Sequence, residues 1–123
     1  MALEEIGRDE LWAQIQRGDE LVLVDALAPI SYAASHLPGA INMPPELVDE
    51  KAPRRIPDRT MDVVVYCASS TCDASVVVAE RLMELGYRNV RHYTGGKAEW
   101  ADAGLPFEGG RAQPAESGAT TTP

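Results

Sequence analysis

Cysteine is scarce in this chain: Cys67 and Cys72 are the two among 123 residues. A pair so close in sequence cannot tie distant segments together, which excludes the small disulfide-framework class. A structural zinc site normally takes four Cys or His ligands, and the two cysteines with the distant His36 and His92 make a poor set, so no metal is expected. Basic side chains are also in deficit, with 11 Lys and Arg against 19 Asp and Glu and a formal charge of −8. The mean field of such a chain repels polyanions, so neither nucleic acid nor an anionic membrane surface is expected as a partner. The adjacent pair Arg54 and Arg55 lies beside Glu50 and Asp58 and reads as an ordinary solvated face. Long apolar runs are missing too. Leu21-Val22-Leu23-Val24 and Val63-Val64-Val65 fall far short of the ~20 residues that span a bilayer. The first residues, with Glu4, Glu5 and Asp9, lack the basic start and apolar core of a secretory signal, so the cytosol is the expected compartment. No internal repeat is visible.

What is present suits one globular domain: 45% apolar and 24% charged residues, in a chain long enough to bury a single core. Residues 3–6 read as a short first strand. Gly7 is a permissible N-cap, and Leu11, Trp12 and Ile15 share a helical face that ends at the turn Arg17-Gly18-Asp19. Residues 21–24, closed by Asp25, read as a strand buried on both faces. Pro29 opens a helix through Ser31, Tyr32, Ala33 and Ala34 before Pro38-Gly39 breaks it, and Ala40-Ile41-Asn42 is a short strand. Pro44, Pro45, Pro53 and Pro57 leave room for one short helix around residues 46–50 in an otherwise irregular crossover. Asp62 begins the strongest strand, Val63-Val64-Val65-Tyr66, which delivers Cys67 at its carboxyl end. Val78, Leu82 and Leu85 predict a helix over residues 74–85, stopped by Gly86; a fifth strand at 90–93 and a last short helix after Gly95-Gly96, carrying Trp100, complete the pattern. Strands alternating with helices predict an α/β fold, a mainly parallel sheet of about five strands covered on both faces. Residues 1–108 form this domain. Residues 109–123 carry hardly an apolar side chain to offset the entropy of ordering, so a disordered tail is expected there.

In open α/β sheets ligands bind beyond the carboxyl ends of strands, where a starting helix presents unpaired N–H groups and the positive end of its dipole. Cys67 stands at that point. Such surroundings lower a thiol's pKa from ~8.5 to between ~3.5 and ~7.5, giving a nucleophile at neutral pH. The competing reading is a buried, inert cysteine at a strand end, common for this residue type. The small polar loop Ala68-Ser69-Ser70-Thr71-Cys72-Asp73 favours the reactive reading.

Four segments carry a family resemblance. Leu23-Val24-Asp25, His36-Leu37-Pro38-Gly39-Ala40-Ile41-Asn42, Val65-Tyr66-Cys67, and Tyr93-Thr94-Gly95-Gly96 with Trp100 resemble, in order, the motifs of the rhodanese-like domains. The resemblance covers nearly all of residues 3–108. It implies that Cys67 takes a sulfane sulfur as a persulfide from thiosulfate, a persulfide or a polysulfide, and yields it to cyanide, sulfite or a thiol, protein thiols included. No metal or organic cofactor is implied. The family's cradle of backbone amides corresponds to Ala68, Ser69, Ser70, Thr71, Cys72 and Asp73, which would surround the bound sulfur with donors. His36, Gly39, Gly96 and Trp100 mark the fold and are not catalytic.

Two departures from the family pattern stand out. Family members often carry arginine directly after the cysteine and near the loop's end, where this chain has Ala68 and Cys72. A dianion such as thiosulfate then meets no guanidinium fork, so a persulfide or polysulfide donor is expected to be preferred. Ala26-Leu27 also replaces the usual Val-Arg after the aspartate, removing an expected ion pair to Asp25. Two other readings compete with sulfur transfer. Cys-x5-Arg phosphatases hold an oxyanion with an arginine where this chain has Asp73, whose carboxylate repels phosphate. A non-catalytic redox module is the alternative with weight: Cys67 and Cys72 would sense redox state, or Cys72 would resolve a persulfide, if their Cα atoms approach within ~7 Å.

Overall fold

The alternation is realised as five strands and five helices within residues 3–110, the part of the chain that a computed structural model describes. In chain order these are β1 (Glu4–Glu5), α1 (Arg8–Arg17), β2 (Val22–Asp25), α2 (Pro29–Ala34), β3 (Ile41–Asn42), α3 (Val48–Arg55), β4 (Asp62–Tyr66), α4 (Ala74–Glu84), β5 (Asn89–Tyr93) and α5 (Gly96–Asp102), with a 3-10 turn at Pro45–Leu47 before α3. The strands form one sheet of order β1-β5-β4-β2-β3, and every pair is parallel. Parallel neighbours require crossovers, and the helices supply them.

The apolar period of two sorts the sheet's side chains. On one face Val24, Val63, Val65 and Val90 meet Val48 and Ala52 of α3 and Val78, Ala79 and Leu82 of α4. On the other, Leu23, Val64, Tyr66 and Tyr93 meet Leu11 of α1 and Trp100 of α5. Trp100 is packed edge-on by Trp12 and Tyr93, and its indole N–H donates to the Pro106 carbonyl at 2.8 Å. β4 lies at the centre, with Val63 to Tyr66 all fully buried. Each such side chain stabilises the fold by about 1.5–3 kcal/mol relative to exposure.

Boundaries follow local chemistry. Gly18 closes α1 in the left-handed region at φ 74°, and Gly86 follows α4 at φ 99°. β1 is shorter than residues 3–6, and both its side chains are exposed; the buried Ile6 anchors it, its N–H donating to the His92 carbonyl at 3.1 Å. One expectation needs correction. The helix expected around residues 46–50 runs on to Arg55 through Pro53. Proline there sacrifices one backbone bond, but Val48, Ala52 and Ile56 at spacing of four are all buried and hold the turn in place. α2 ends at Ala34, before Pro38-Gly39, as expected. Beyond it the chain pairs with a distant segment: His36 and Glu108 exchange both backbone bonds at 2.8 Å, and the Glu108 carboxylate accepts from the Gly39 N–H at 2.9 Å. Gly110 donates to the Ala33 carbonyl at 2.8 Å, so the backbone remains attached to α2 past residue 108. The rest of the expected tail, residues 111–123, lies outside the described residues.

β2 leads into α2, whose Tyr32 packs on the Trp100 face, whereas β4 leads into α4 on the opposite face. The carboxyl ends of these two adjacent strands therefore diverge and open a crevice at the point where the strand order reverses. Cys67 sits on its rim.

Candidate active site

Cys67 follows directly from β4 and is 1% exposed. Alternation along the strand assigns it to the α4 side, with Val63 and Val65. The loop 68–73 then turns back on itself. The Cys72 N–H donates to the Ser69 carbonyl at 3.2 Å, and the Ser69 and Thr71 hydroxyls are 3.0 Å apart. This turn returns Cys72 over Cys67, with their Cα atoms 6.1 Å apart, and the two sulfurs are joined as a disulfide. The separation falls within the range a disulfide requires.

The loop's two sides are used differently. Its carbonyl side is pinned by α5: the N–H groups of Lys97 and Ala98 donate to the carbonyls of Cys67 at 3.1 Å and Ala68 at 2.8 Å. Such close approach requires glycine at position 96. Gly96 adopts φ 64°, and a Cβ there would stand 2.5 Å from the Cys67 oxygen and 2.9 Å from the Ser69 nitrogen. Its amide side is largely unengaged: among the described residues the N–H groups of Ala68, Ser69, Ser70 and Asp73 have no hydrogen-bond partner. Asp73 occupies the N-cap of α4 without a side-chain capping bond, so the first turn of that helix keeps its positive end uncapped by a carboxylate. Oriented N–H groups and a helix terminus stabilise negative charge on sulfur.

No cation reinforces them within the loop. Lys97 turns away to donate to the Ser31 carbonyl at 3.3 Å. Alongside the loop runs a groove of about 560 Å³ whose wall includes Ser69 and Ser70 together with Glu5, Arg8, Glu99 and Asp102. Neither cysteine lines it. Its one guanidinium is paired with Asp9 at 3.0 Å, so the field in the groove is acidic. Glu99 also accepts from the Tyr93 hydroxyl at 2.8 Å, and burial together with that bond pushes the Tyr93 pKa upward. Thr94, in the same wall, buries a hydroxyl that has no partner among the described residues.

Two buried polar pairs support the site from beneath. The Asp25 carboxylate, which has no arginine beside it, accepts from the Tyr66 hydroxyl at 2.7 Å and the Leu27 N–H at 2.8 Å, while the Leu37 N–H donates to Tyr66 at 3.0 Å. Desolvation nonetheless raises the Asp25 pKa. It raises that of Tyr66 as well. Behind the start of α4, the Ser75 hydroxyl and His92 Nε2 are 2.7 Å apart, and burial lowers the His92 pKa. Among the described residues, no three His, Cys, Asp or Glu side chains gather as a metal site, and no helix is long and apolar enough to cross a membrane.

The structure thus brings all seven expected site residues, Cys67 to Asp73, into one loop, and it adds contributors that the sequence reading did not single out. These are the Lys97 and Ala98 amides, Tyr66 as the partner of Asp25, and the groove residues Glu5, Arg8, Glu99 and Asp102. The paired glycines after a strand were the one available signal of a close backbone approach.

Residues 7–103 match the Rhodanese-like domain family. The chain is 32% identical over 105 residues to a sulfurtransferase of Allochromatium vinosum, covering 85% of this chain and 94% of that one. It is 35% identical over 105 residues to the HTH-type transcriptional regulator Rv0324 of Mycobacterium tuberculosis, covering 85% of this chain but 45% of the regulator. Among solved structures, a thiosulfate sulfurtransferase from Pseudomonas aeruginosa superposes with a TM-score of 0.78 at 26% identity, covering 87% of this chain and 20% of that one. The chain belongs to the rhodanese-like family, and its relatives there include sulfurtransferases. The resemblance read from four motifs and the five-stranded α/β architecture are both borne out.

Proposed function

We propose that the protein is a sulfurtransferase in which reduced Cys67 carries the sulfur. The Cys67 thiolate attacks the outer sulfur of a donor R–S–S⁻, forming Cys67–S–S⁻ and expelling R–S⁻. An acceptor then takes the outer sulfur and the Cys67 thiolate returns; cyanide becomes thiocyanate, sulfite becomes thiosulfate, and a thiol becomes a persulfide. The observation that carries this reading is the set of unengaged loop amides between Cys67 and the start of α4, which suits charge resting on the outer sulfur. The loop without a cation and the acidic groove favour a monoanionic persulfide donor over dianionic thiosulfate. In the cytosol, where thiols are kept reduced, the Cys67–Cys72 bridge would be transient rather than structural.

The test is Cys67→Ser, because a serine hydroxyl is scarcely ionised at neutral pH and forms no persulfide. Sulfur transfer is expected to vanish while circular dichroism stays native. Residual activity above roughly a tenth of wild type would remove Cys67 as the essential nucleophile. The disulfide favours one second reading, a redox-sensing module without turnover. A reduced protein that gains no sulfur from any sulfane donor would establish that reading instead.

A further inference from the structure

We infer that Cys72 is an internal sulfur acceptor, so that the protein releases hydrogen sulfide and the Cys67–Cys72 disulfide is the product of that step. The inference rests on Cys67 forming a persulfide. The Cys72 sulfur attacks the inner sulfur of Cys67–Sγ–SH; an Sγ–Sγ bond forms, the bond from Cys67 Sγ to the outer sulfur breaks, and its electron pair leaves with the outer sulfur. That sulfur takes the Cys72 proton and departs as H₂S. The two cysteine sulfurs are oxidised to the disulfide and the sulfane sulfur is reduced to sulfide. Two equivalents of a small thiol restore the dithiol and become its disulfide, so the cycle balances as R–S–SH plus two thiols giving R–SH, H₂S and one thiol disulfide.

The geometry selects the inner sulfur. A Cα separation of 6.1 Å brings the two Sγ atoms into direct bonding contact. Attack on the outer sulfur would require room for one more bond of about 2 Å between them. The loop holds this arrangement through its own hydrogen bonds, the Cys72 N–H to the Ser69 carbonyl and the Ser69–Thr71 hydroxyl pair, while α5 fixes the Cys67 end. The chain entropy of closure has therefore been met in forming the fold, and a positioned internal thiol competes with external acceptors as if present at millimolar concentration or above. Exposure orders the reductive half of the cycle. Cys67 is buried and Cys72 is half-buried, so an external thiol reaches the Cys72 sulfur first. The leaving thiolate is then Cys67, the sulfur that the next donor must meet, in the loop whose amides are unengaged.

The experiment is a single turnover on the full chain, reduced and freed of reductant, with one equivalent of an organic persulfide, glutathione persulfide, whose leaving group on loading Cys67 is a thiol and not sulfide. Sulfide is trapped and the protein is weighed by intact mass spectrometry, for wild type, Cys72→Ala and Cys72→Ser. Wild type is expected to release one equivalent of sulfide and lose two hydrogens. Both variants should retain one added sulfur and release none, and should deliver it as thiocyanate at cyanide concentrations where wild type still gives mainly sulfide. A wild type that holds a stable persulfide, or variants that release sulfide as wild type does, would overturn the inference while leaving Cys67 as carrier. If none of the three proteins gains or turns over sulfur, the reading of Cys67 itself fails and takes this inference with it.

Discussion

Replacing Gly96 by alanine separates what the fold requires from what the loop requires. Gly96 has φ 64° and its missing Cβ would press on the backbone of Cys67, Ala68 and Ser69 at 2.5–2.9 Å. The left-handed conformation alone costs an L-residue about 1–2 kcal/mol. Intrusion into packed backbone adds about 1–3 kcal/mol, for a total of about 2–5 kcal/mol. Gly18 supplies the control, because it has φ 74° but nothing within 4 Å of a built Cβ. Gly18→Ala should therefore lose about 1–2 kcal/mol and transfer sulfur normally. Gly96→Ala should lose more, and the loop it displaces should transfer sulfur on the order of a hundred-fold more slowly, since a shift near 1 Å at a reacting centre has that effect. Urea denaturation measures the first quantity and single-turnover persulfide transfer the second. If Gly96→Ala matches Gly18→Ala in both, the contact between α5 and the loop is not what positions Cys67.

Three further outcomes are expected. Tyr66→Phe removes the hydroxyl that donates to Asp25 and accepts from Leu37, leaving a buried carboxylate short of a partner; urea denaturation should show a loss of about 2–3 kcal/mol. Burial lowers the His92 pKa, so below about pH 6.5 the unfolded chain binds a proton that the native protein does not, and His92 contributes a loss of stability as pH falls through that range. Asp25, with its raised pKa, acts oppositely: it binds its proton first in the native state and so favours folding as pH falls toward 4. Urea denaturation of wild type and His92→Asn at pH 7.5 and 5.5 isolates the histidine, and an equal fall in both proteins would refute its assignment. Ala68→Arg should lower KM for thiosulfate more than for polysulfide, by a factor that shrinks with added salt, with cyanide as common acceptor; an unchanged ratio would mean that charge does not select the donor.

The parts of the fold that could be read in advance are those where local signals agree. β4 starts at Asp62 as expected because four consecutive buried β-formers leave no other choice, and α1 stops at Gly18 because cap and pattern coincide. The helix through Pro53 was hidden because proline reads as a breaker until Val48, Ala52 and Ile56 are seen to share one core. The pairing of His36 with Glu108, more than seventy positions away, is announced by no local pattern. At the site, Cys67 and its loop were legible from small polar residues at a strand end. The pinning by Lys97 and Ala98 uses main-chain groups, which carry no side-chain signature. The acidic groove draws on three separate elements that meet only in the folded chain.

The pairing of Glu108 with His36 has a mechanical side. Load applied through Gly110 would fall on a two-bond bridge, on the Glu108–Gly39 contact and on the link to Ala33 before it reached the parallel ladder. These bonds hold the carboxyl end of α2, while β4, which leads into Cys67, shares five paired positions with β5 inside the sheet. Tension at Gly110 would thus loosen the end of α2 first and leave the strand that carries the cysteine intact.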